Sequence, residues 1–330
     1  MQPYFENNNI KLYLGSCLDV LPTLDVQADL LLTDPPYSRV LDEQWDRMDN
    51  AELSRLLEAM LTAAVPRLRD NAAAYIFCWP TNLETVAGAA KNHLHILQNI
   101  VWCKRDRLEQ VAPGRARHTE IASLRVPFPE TERIVFAEMS GADSGYGDHD
   151  ERVRNKVMAP LIAYFQAARK GAELSGSELR DRMHAMTGKR YVFERHALAE
   201  SQWELPTREQ YEAAQTLMPG LRREYESLRR EYESLRRYHR PTPRTYTDLW
   251  VYPPIMAGCR SRIHPAQKPI DLIADMITTS CPPDGLVLDP FAGSASTGEA
   301  AIQTGRRAIL IERDERIAES AARRLSNILI

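Results

Sequence analysis

The residues best equipped for chemistry form a run of four: Asp34, Pro35, Pro36 and Tyr37 directly follow the apolar stretch Leu30, Leu31, Leu32 and Thr33. Neither proline can donate a ladder hydrogen bond, so a strand through the leucines ends near Thr33 and Asp34. The carboxylate then stands at the strand's carboxyl end, where open α/β sheets hold their ligands. Paired prolines restrict the loop before folding, so little chain entropy is lost in holding the Pro35 carbonyl in place.

A second cluster lies near the other end of the sequence. The stretch from Gly285 to Glu312 reads as strand, tight turn with Gly293, helix and second strand, the layout of a nucleotide-binding βαβ unit. Glu312 closes the second strand 23 residues after Asp289, where an acid accepts hydrogen bonds from ribose hydroxyls. A phosphate loop would need a Gly-Lys pair, which this turn lacks. Ala295 stands where a dinucleotide turn has the glycine that admits a pyrophosphate. The turn therefore suits a nucleoside without phosphates, and Asp289 suits a cation such as the amino end of an amino-acid moiety.

The elements that position these residues come from both ends of the chain. Residues 10–140 alternate strand-like and helix-like runs, which predicts βαβ units and a mostly parallel sheet. The runs 95–105 and 132–139 carry no helical pattern between them and predict an antiparallel pair at a sheet edge. From Ser140 a Gly-, Ser- and Asp-rich breaker leads into Arg- and Glu-rich helical sequence, and the α/β pattern returns after Tyr246. The sequence thus divides into residues 1–140, an insert at 141–245, and 246–330.

The insert has its own signals. Ser177 is placed to cap one helix, and Thr207 a second. A helix-turn-helix reader of DNA and a plain helical subdomain both fit this pattern. Leu221, Tyr225, Leu228, Tyr232 and Leu235 form an apolar seam with a period of seven; two heptads favour a long amphipathic helix packed on its own subdomain over a dimer zipper. From Glu151 to Arg244 there are 19 Lys and Arg against 13 Asp and Glu, a net of +6, which leaves −9 for the rest of a chain of net charge −3. A basic segment on an acidic scaffold is compatible with one face meeting phosphate.

Composition excludes several classes. Five widely spaced cysteines without a CxxC pair indicate neither a disulfide framework nor a zinc site. His93 and His95 have no third ligand nearby in the sequence, so no metal is expected. No apolar run approaches the roughly 20 residues of a membrane span, and no signal pattern opens the chain, so a cytoplasmic protein is expected.

Together the motifs TDPPY at 33–37, HPAQKP at 264–269 and LDPFAGSAST at 288–297 resemble the signature elements of S-adenosylmethionine-dependent DNA amino-methyltransferases, in the order of their β class. The resemblance covers residues 10–140 and 246–325. It implies a Rossmann-like, mostly parallel α/β sheet with an antiparallel edge pair, plus a helical target-recognition insert. It assigns Asp289, Pro290, Phe291, Gly293, Ser294, Ser296 and Thr297 to the cofactor turn and Glu312 to the ribose. Lys268, with His264 in the same motif, matches the position near the methionine carboxylate. Ser16 and Cys17 stand at the adenine contact, where the family usually has an acid in place of Ser16.

The resemblance also explains the first four residues. An exocyclic amine is a poor nucleophile because its lone pair is delocalised into the base. The Asp34 carboxylate and the Pro35 carbonyl would each accept a hydrogen bond from the amine and favour a pyramidal nitrogen. Tyr37 would stack on a base that has left the duplex. Aspartate in this motif favours adenine N6, with cytosine N4 or RNA adenine as alternatives. Arg115 and Arg117, in the loop between the edge strands, and Arg182, Lys189 and Arg190 in the insert are candidates for phosphate contact on double-stranded DNA. A homodimer and a cognate restriction endonuclease are left open as partners. The rivals are a nicotinamide-dependent oxidoreductase, opposed by Ala295 and by the DPPY loop, and a catalytically silent DNA-binding regulator.

Overall fold

The structure is a computed structural model that describes residues 1–37, 47–105, 129–141, 151–172, 174–188, 193, 203–255, 263–264 and 266–328. The chain divides into two compact units, residues 1–139 with 238–330, and residues 140–237.

In the first unit the described strands form one sheet. They are β1 (Phe5–Glu6), β2 (Ile10–Leu14), β3 (Ala28–Thr33), β4 (Leu68–Cys78), β5 (His95–Cys103), β6 (Thr131–Glu138), β7 (Leu249–Val251), β8 (Leu286–Asp289) and β9 (Arg307–Glu312). Their order is β1-β2-β9-β8-β3-β4-β6-β5-β7. The run from β2 to β4 is parallel, and β6 runs against both of its neighbours. The expected antiparallel pair is therefore β5 with β6. It is not outermost, because β7 pairs in parallel with the free side of β5. Three residues are too few to show a strand period, which is why β7 leaves no sequence signal.

Alternating side chains of each strand serve two cores. Leu30 and Leu32 face one cluster with Ile273, Met276 and Leu325, while Leu31 faces the other with Leu53, Leu57 and Met60. The first face is covered by α8 (Ile270–Ser280), α9 (Ser296–Gln303) and α10 (Glu315–Ile328). The second is covered by α1 (Cys17–Val20), α2 (Asn50–Ala64) and α3 (Leu83–Lys91). Strands covered on both faces read as continuous apolar runs, which is why β3 was legible. The helix after β3 lies on one face and the helix after β8 on the other, so these adjacent strands form the sheet's switch point, the place where such sheets bind ligands.

The second unit is helical: α4 (Glu151–Lys170), α5 (Gly176–Thr187), α6 (Arg208–Leu217) and α7 (Tyr225–Leu235). Its own core includes Met158, Phe165, Leu179, Trp203, Tyr211 and Leu228. The cap of α5 is Ser175 and not Ser177: Ser175 Oγ accepts from the Glu178 N–H, and the Glu178 side chain accepts in return from the Ser175 N–H. The capping box needs its acid three residues after the cap, and Glu178 meets that spacing only from Ser175. Thr207 caps α6 with Gln210 in the reciprocal role. The seam of seven lies on an 11-residue α7, shorter than the long helix expected, with Leu228 and Tyr232 buried in the same core and Leu221 before the helix begins.

Candidate active site

Asp34 follows the last residue of β3, and Asp289 is the last residue of β8, the neighbouring strand. Both line one cavity of about 670 Å³. The cavity gathers the expected residues from three parts of the sequence: Ser16 and Cys17; Asp34, Pro35, Pro36 and Tyr37; and His264, Lys268, Asp289, Pro290, Phe291, Gly293, Ser294, Ser296, Thr297 and Glu312.

Asp34 is held by two donors. Tyr37 Oη donates to Oδ1 at 2.6 Å, and Lys268 Nζ donates to Oδ2. Glu132, on β6, completes the group: its Oε2 is 2.8 Å from Tyr37 Oη and 3.6 Å from Lys268 Nζ, and its Oε1 is 2.5 Å from Lys104 Nζ. Burial pushes the Asp34 carboxyl up from the usual aspartate range; Lys268 pulls it back and the Glu132 charge adds to the rise. Burial also opposes ionisation of Glu132, but Lys268 and Lys104 outweigh it and hold that carboxyl low. Burial would strip the Lys268 proton, and the charges of Asp34 and Glu132 reverse that, so Lys268 stays charged. Tyr37 keeps its proton, being buried and beside two carboxylates. Asp34 is thus the carboxylate of this group most ready to take a proton.

The turn after β3 is tied down from outside. The buried Asn82, at the start of α3, donates to the Tyr37 carbonyl at 2.5 Å. The Tyr37 ring lies 6.4 Å from that of Trp79 and 5.0 Å from Lys268 Nζ.

The second cluster closes on itself in the same way. Asp289 accepts from the Phe291 N–H at 3.1 Å and from the Thr297 hydroxyl at 2.6 Å. Burial lifts its pKa to about 7; the two donors restrain the rise, and the Asp34 and Glu312 charges add to it. Glu312 accepts from the Gly293 N–H at 2.9 Å and the Asp314 N–H at 2.8 Å, and burial raises its pKa as well. Gly293 has φ of +50°, in the left-handed region that a side chain disfavours. Ala295 also sits there, at φ +59°, as the cap of α9. Gly298 meets the sheet closely: a Cβ there would lie 2.7 Å from Leu310 Cδ1.

These groups supply a carboxylate acceptor beside a nucleoside-type turn. A model of the N6/N4 DNA methylase family matches residues 28–323, most of the chain. The chain belongs to that family.

The methylase is accordingly an S-adenosylmethionine-dependent DNA amino-methyltransferase. It is similar to the Type II methyltransferase M2.MboI of Moraxella bovis, 22% identical over 348 residues, covering 99% of this chain and 92% of that protein. The match to the Type II methyltransferase M.ScaI of Streptomyces caespitosus is 38% identical over 90 residues, 26% of this chain and only 30% of that relative's length. Two solved structures share the fold. The M1.HpyAVI–SAM complex aligns with a TM-score of 0.53 at 16% identity, over 96% of this chain and 98% of that one. The PvuII DNA methyltransferase (cytosine-N4-specific) aligns with a TM-score of 0.54 at 12% identity, over 99% and 93%.

Two of these cavity residues also make contacts within the chain that the motifs do not announce. Lys268 pairs with Asp34 and Glu132, because a buried ammonium requires anionic partners, and the residue after β3 and the start of β6 supply them. Ser16 caps α1, its Oγ 3.3 Å from the Leu18 N–H. Arg182 is exposed on α5 in the second unit; Arg115, Arg117, Lys189 and Arg190 lie outside the described residues. Sequence reasoning missed Glu132, Lys104 and Asn82. The one available signal for Glu132 was an acid set two residues before the apolar run Ile134–Ala137.

Proposed function

We propose that this DNA methylase methylates the exocyclic N6 amine of adenine in double-stranded DNA, at a specific site. The observation that carries the reading is the Asp34 carboxylate at the end of β3, sharing a cavity with the Asp289 and Glu312 turn of the adjacent strands. An aspartate leading the motif supports adenine over cytosine.

The cofactor cavity fits S-adenosylmethionine on its own chemistry. Asp289 is buried, and among the described residues its partners are the neutral Phe291 N–H and Thr297 hydroxyl, so its carboxylate suits a cationic group. Glu312 presents a second carboxylate on the same side, suited to ribose hydroxyls. Ser16 and Cys17 would hold the adenine end, and the turn from Pro290 to Thr297 with His264 and Lys268 would hold the amino-acid end. When bound, S-adenosylmethionine supplies an electrophilic sulfonium methyl.

The chain's own residues then do the rest. Asp34 and the Pro35 carbonyl accept from the amine and localise its lone pair, and the stiff Pro35-Pro36 turn holds both acceptors in line. Tyr37, with Trp79 beside it, offers the base an aromatic neighbour. Asp34, whose pKa burial raises, is suited to take the proton that the methylated amine releases. The basic insert at 141–245 reads the target, with Arg115, Arg117, Arg182, Lys189 and Arg190 on phosphate. The name of the Moraxella bovis relative supports a place in restriction–modification.

Transfer of labelled methyl to DNA, followed by identification of the modified base, tests the reading. Wild type is expected to yield N6-methyladenine, and Asp34→Ala is expected to lose on the order of 10²-fold or more in rate while still binding the cofactor. N4-methylcytosine as the product, or transfer by Asp34→Ala at the wild-type rate, overturns it.

A further inference from the structure

Asp34 must serve an incoming amine, yet both of its oxygens are already engaged. Oδ1 receives the Tyr37 hydroxyl, and Oδ2 receives the Lys268 ammonium. Each bond draws negative charge from the carboxylate, and an acceptor neutralised by an ammonium is a weak partner for an amine. Release of either donor into the buried site would strand a polar group or an unpaired charge, which is strongly unfavourable.

Glu132 lies where it removes that cost. The Tyr37 hydroxyl has one proton and sits 2.6 Å from Asp34 Oδ1 and 2.8 Å from Glu132 Oε2, so it can donate to only one of them at a time. The two oxygens are alternative acceptors of the same proton. Lys268 Nζ likewise lies 3.6 Å from Glu132 Oε2. Glu132 is itself fixed: it is buried at the start of β6, and its other oxygen is 2.5 Å from Lys104, whose ammonium lies 4.9 Å over the Trp79 ring. It need not move to receive either donor.

Resting on the methyl-transfer reading above, we propose that Glu132 is a positioning residue: it takes over the Tyr37 and Lys268 hydrogen bonds when the target amine engages Asp34. No bond to carbon forms or breaks in this step. One hydroxyl proton and one ammonium hydrogen bond change acceptor, and the site's net charge is unchanged. The exchange keeps Lys268 and Tyr37 partnered while it frees Asp34 for the amine.

Methyl transfer to DNA by Glu132→Gln, with cofactor and DNA binding measured alongside, tests the proposal. The variant is expected to lose kcat on the order of 10²-fold, as for a misplaced reacting group, with KM for S-adenosylmethionine and DNA affinity within about threefold of wild type. The pH profile gives a readout that a merely structural residue would not move. The groups facing Glu132 are Asp34, Tyr37, Lys268, Lys104 and Cys78; its charge raises the Asp34 pKa, so the acid limb of kcat/KM is expected at lower pH in Glu132→Gln. Glu132→Asp keeps the charge but withdraws it by one methylene, and is expected to lose about tenfold in kcat with the acid limb in place. Wild-type kcat in either variant, or a loss in Glu132→Gln that is uniform across pH, overturns the proposal. Wild-type transfer in the same assay bears on the methylation reading alone, so the two fail separately.

Discussion

Lys268 donates to the Asp34 carboxylate across 234 positions of sequence, with only 7% of the lysine side chain and 19% of the aspartate side chain exposed. Removing one member of a buried pair leaves an uncompensated charge, which costs about 3–5 kcal/mol, far more than the pair gains over an apolar replacement. Lys268→Met is therefore expected to destabilise the protein by that amount in urea denaturation. Asp34→Asn combined with Lys268→Met should be less destabilising than the two changes summed, by about 0.5–3 kcal/mol of coupling. Strict additivity in that cycle is the outcome that would deny the pair an energetic role.

Asp289 makes cofactor binding pH-dependent. Its pKa stands at about 7 in the folded protein, and only the ionised form attracts a cation. Affinity for S-adenosylmethionine should weaken as pH falls from 7.5 to about 5.5, and Asp289→Asn should bind weakly with that slope removed. The sign for stability is opposite. A carboxyl whose folded pKa is raised binds its proton more tightly when folded, so the contribution is complete below the unfolded value and is lost as pH rises through about 7. Without ligand, Asp289→Asn should therefore gain on wild type in thermal denaturation as pH rises from 6 to 8.

Ser175 caps α5 and Ser177 does not. Ser175→Ala is expected to cost about 1 kcal/mol of stability, within the 0.5–2 range for lost caps, while Ser177→Ala stays within about 0.5 kcal/mol of wild type. Equal effects of the two in denaturant unfolding would contradict the capping box seen here.

Local chemistry announced some of this site and concealed the rest. A run such as Leu30–Leu32 stopped by Pro35 and Pro36 shows its strand, its end and the acid at that end in one stretch of sequence. The turn from Asp289 to Thr297 does the same, because a single βαβ unit supplies every part. Glu132 and Lys104 could not be read in that way. Glu132 reaches Tyr37 and Lys268, and Lys104 reaches Glu132, only because β6 runs against β4 and β5 beside it, a pairing between residues far apart in sequence. The role expected for Lys268 from the motif alone likewise omitted Asp34 as its nearest anion. The helix α3 is only 9 residues long, too short for its period to stand out from a short apolar run.

The switch-point strands come from opposite ends of synthesis. The Leu286 N–H donates to Asp29 Oδ2 at 2.9 Å, a bond spanning 257 positions. At roughly 5–20 residues per second on a ribosome, β3 waits tens of seconds for β8 with one edge uncovered. Until then the Asp34 loop has no cofactor turn beside it, so a half-made chain holds the acceptor for the amine without any means of supplying a methyl group.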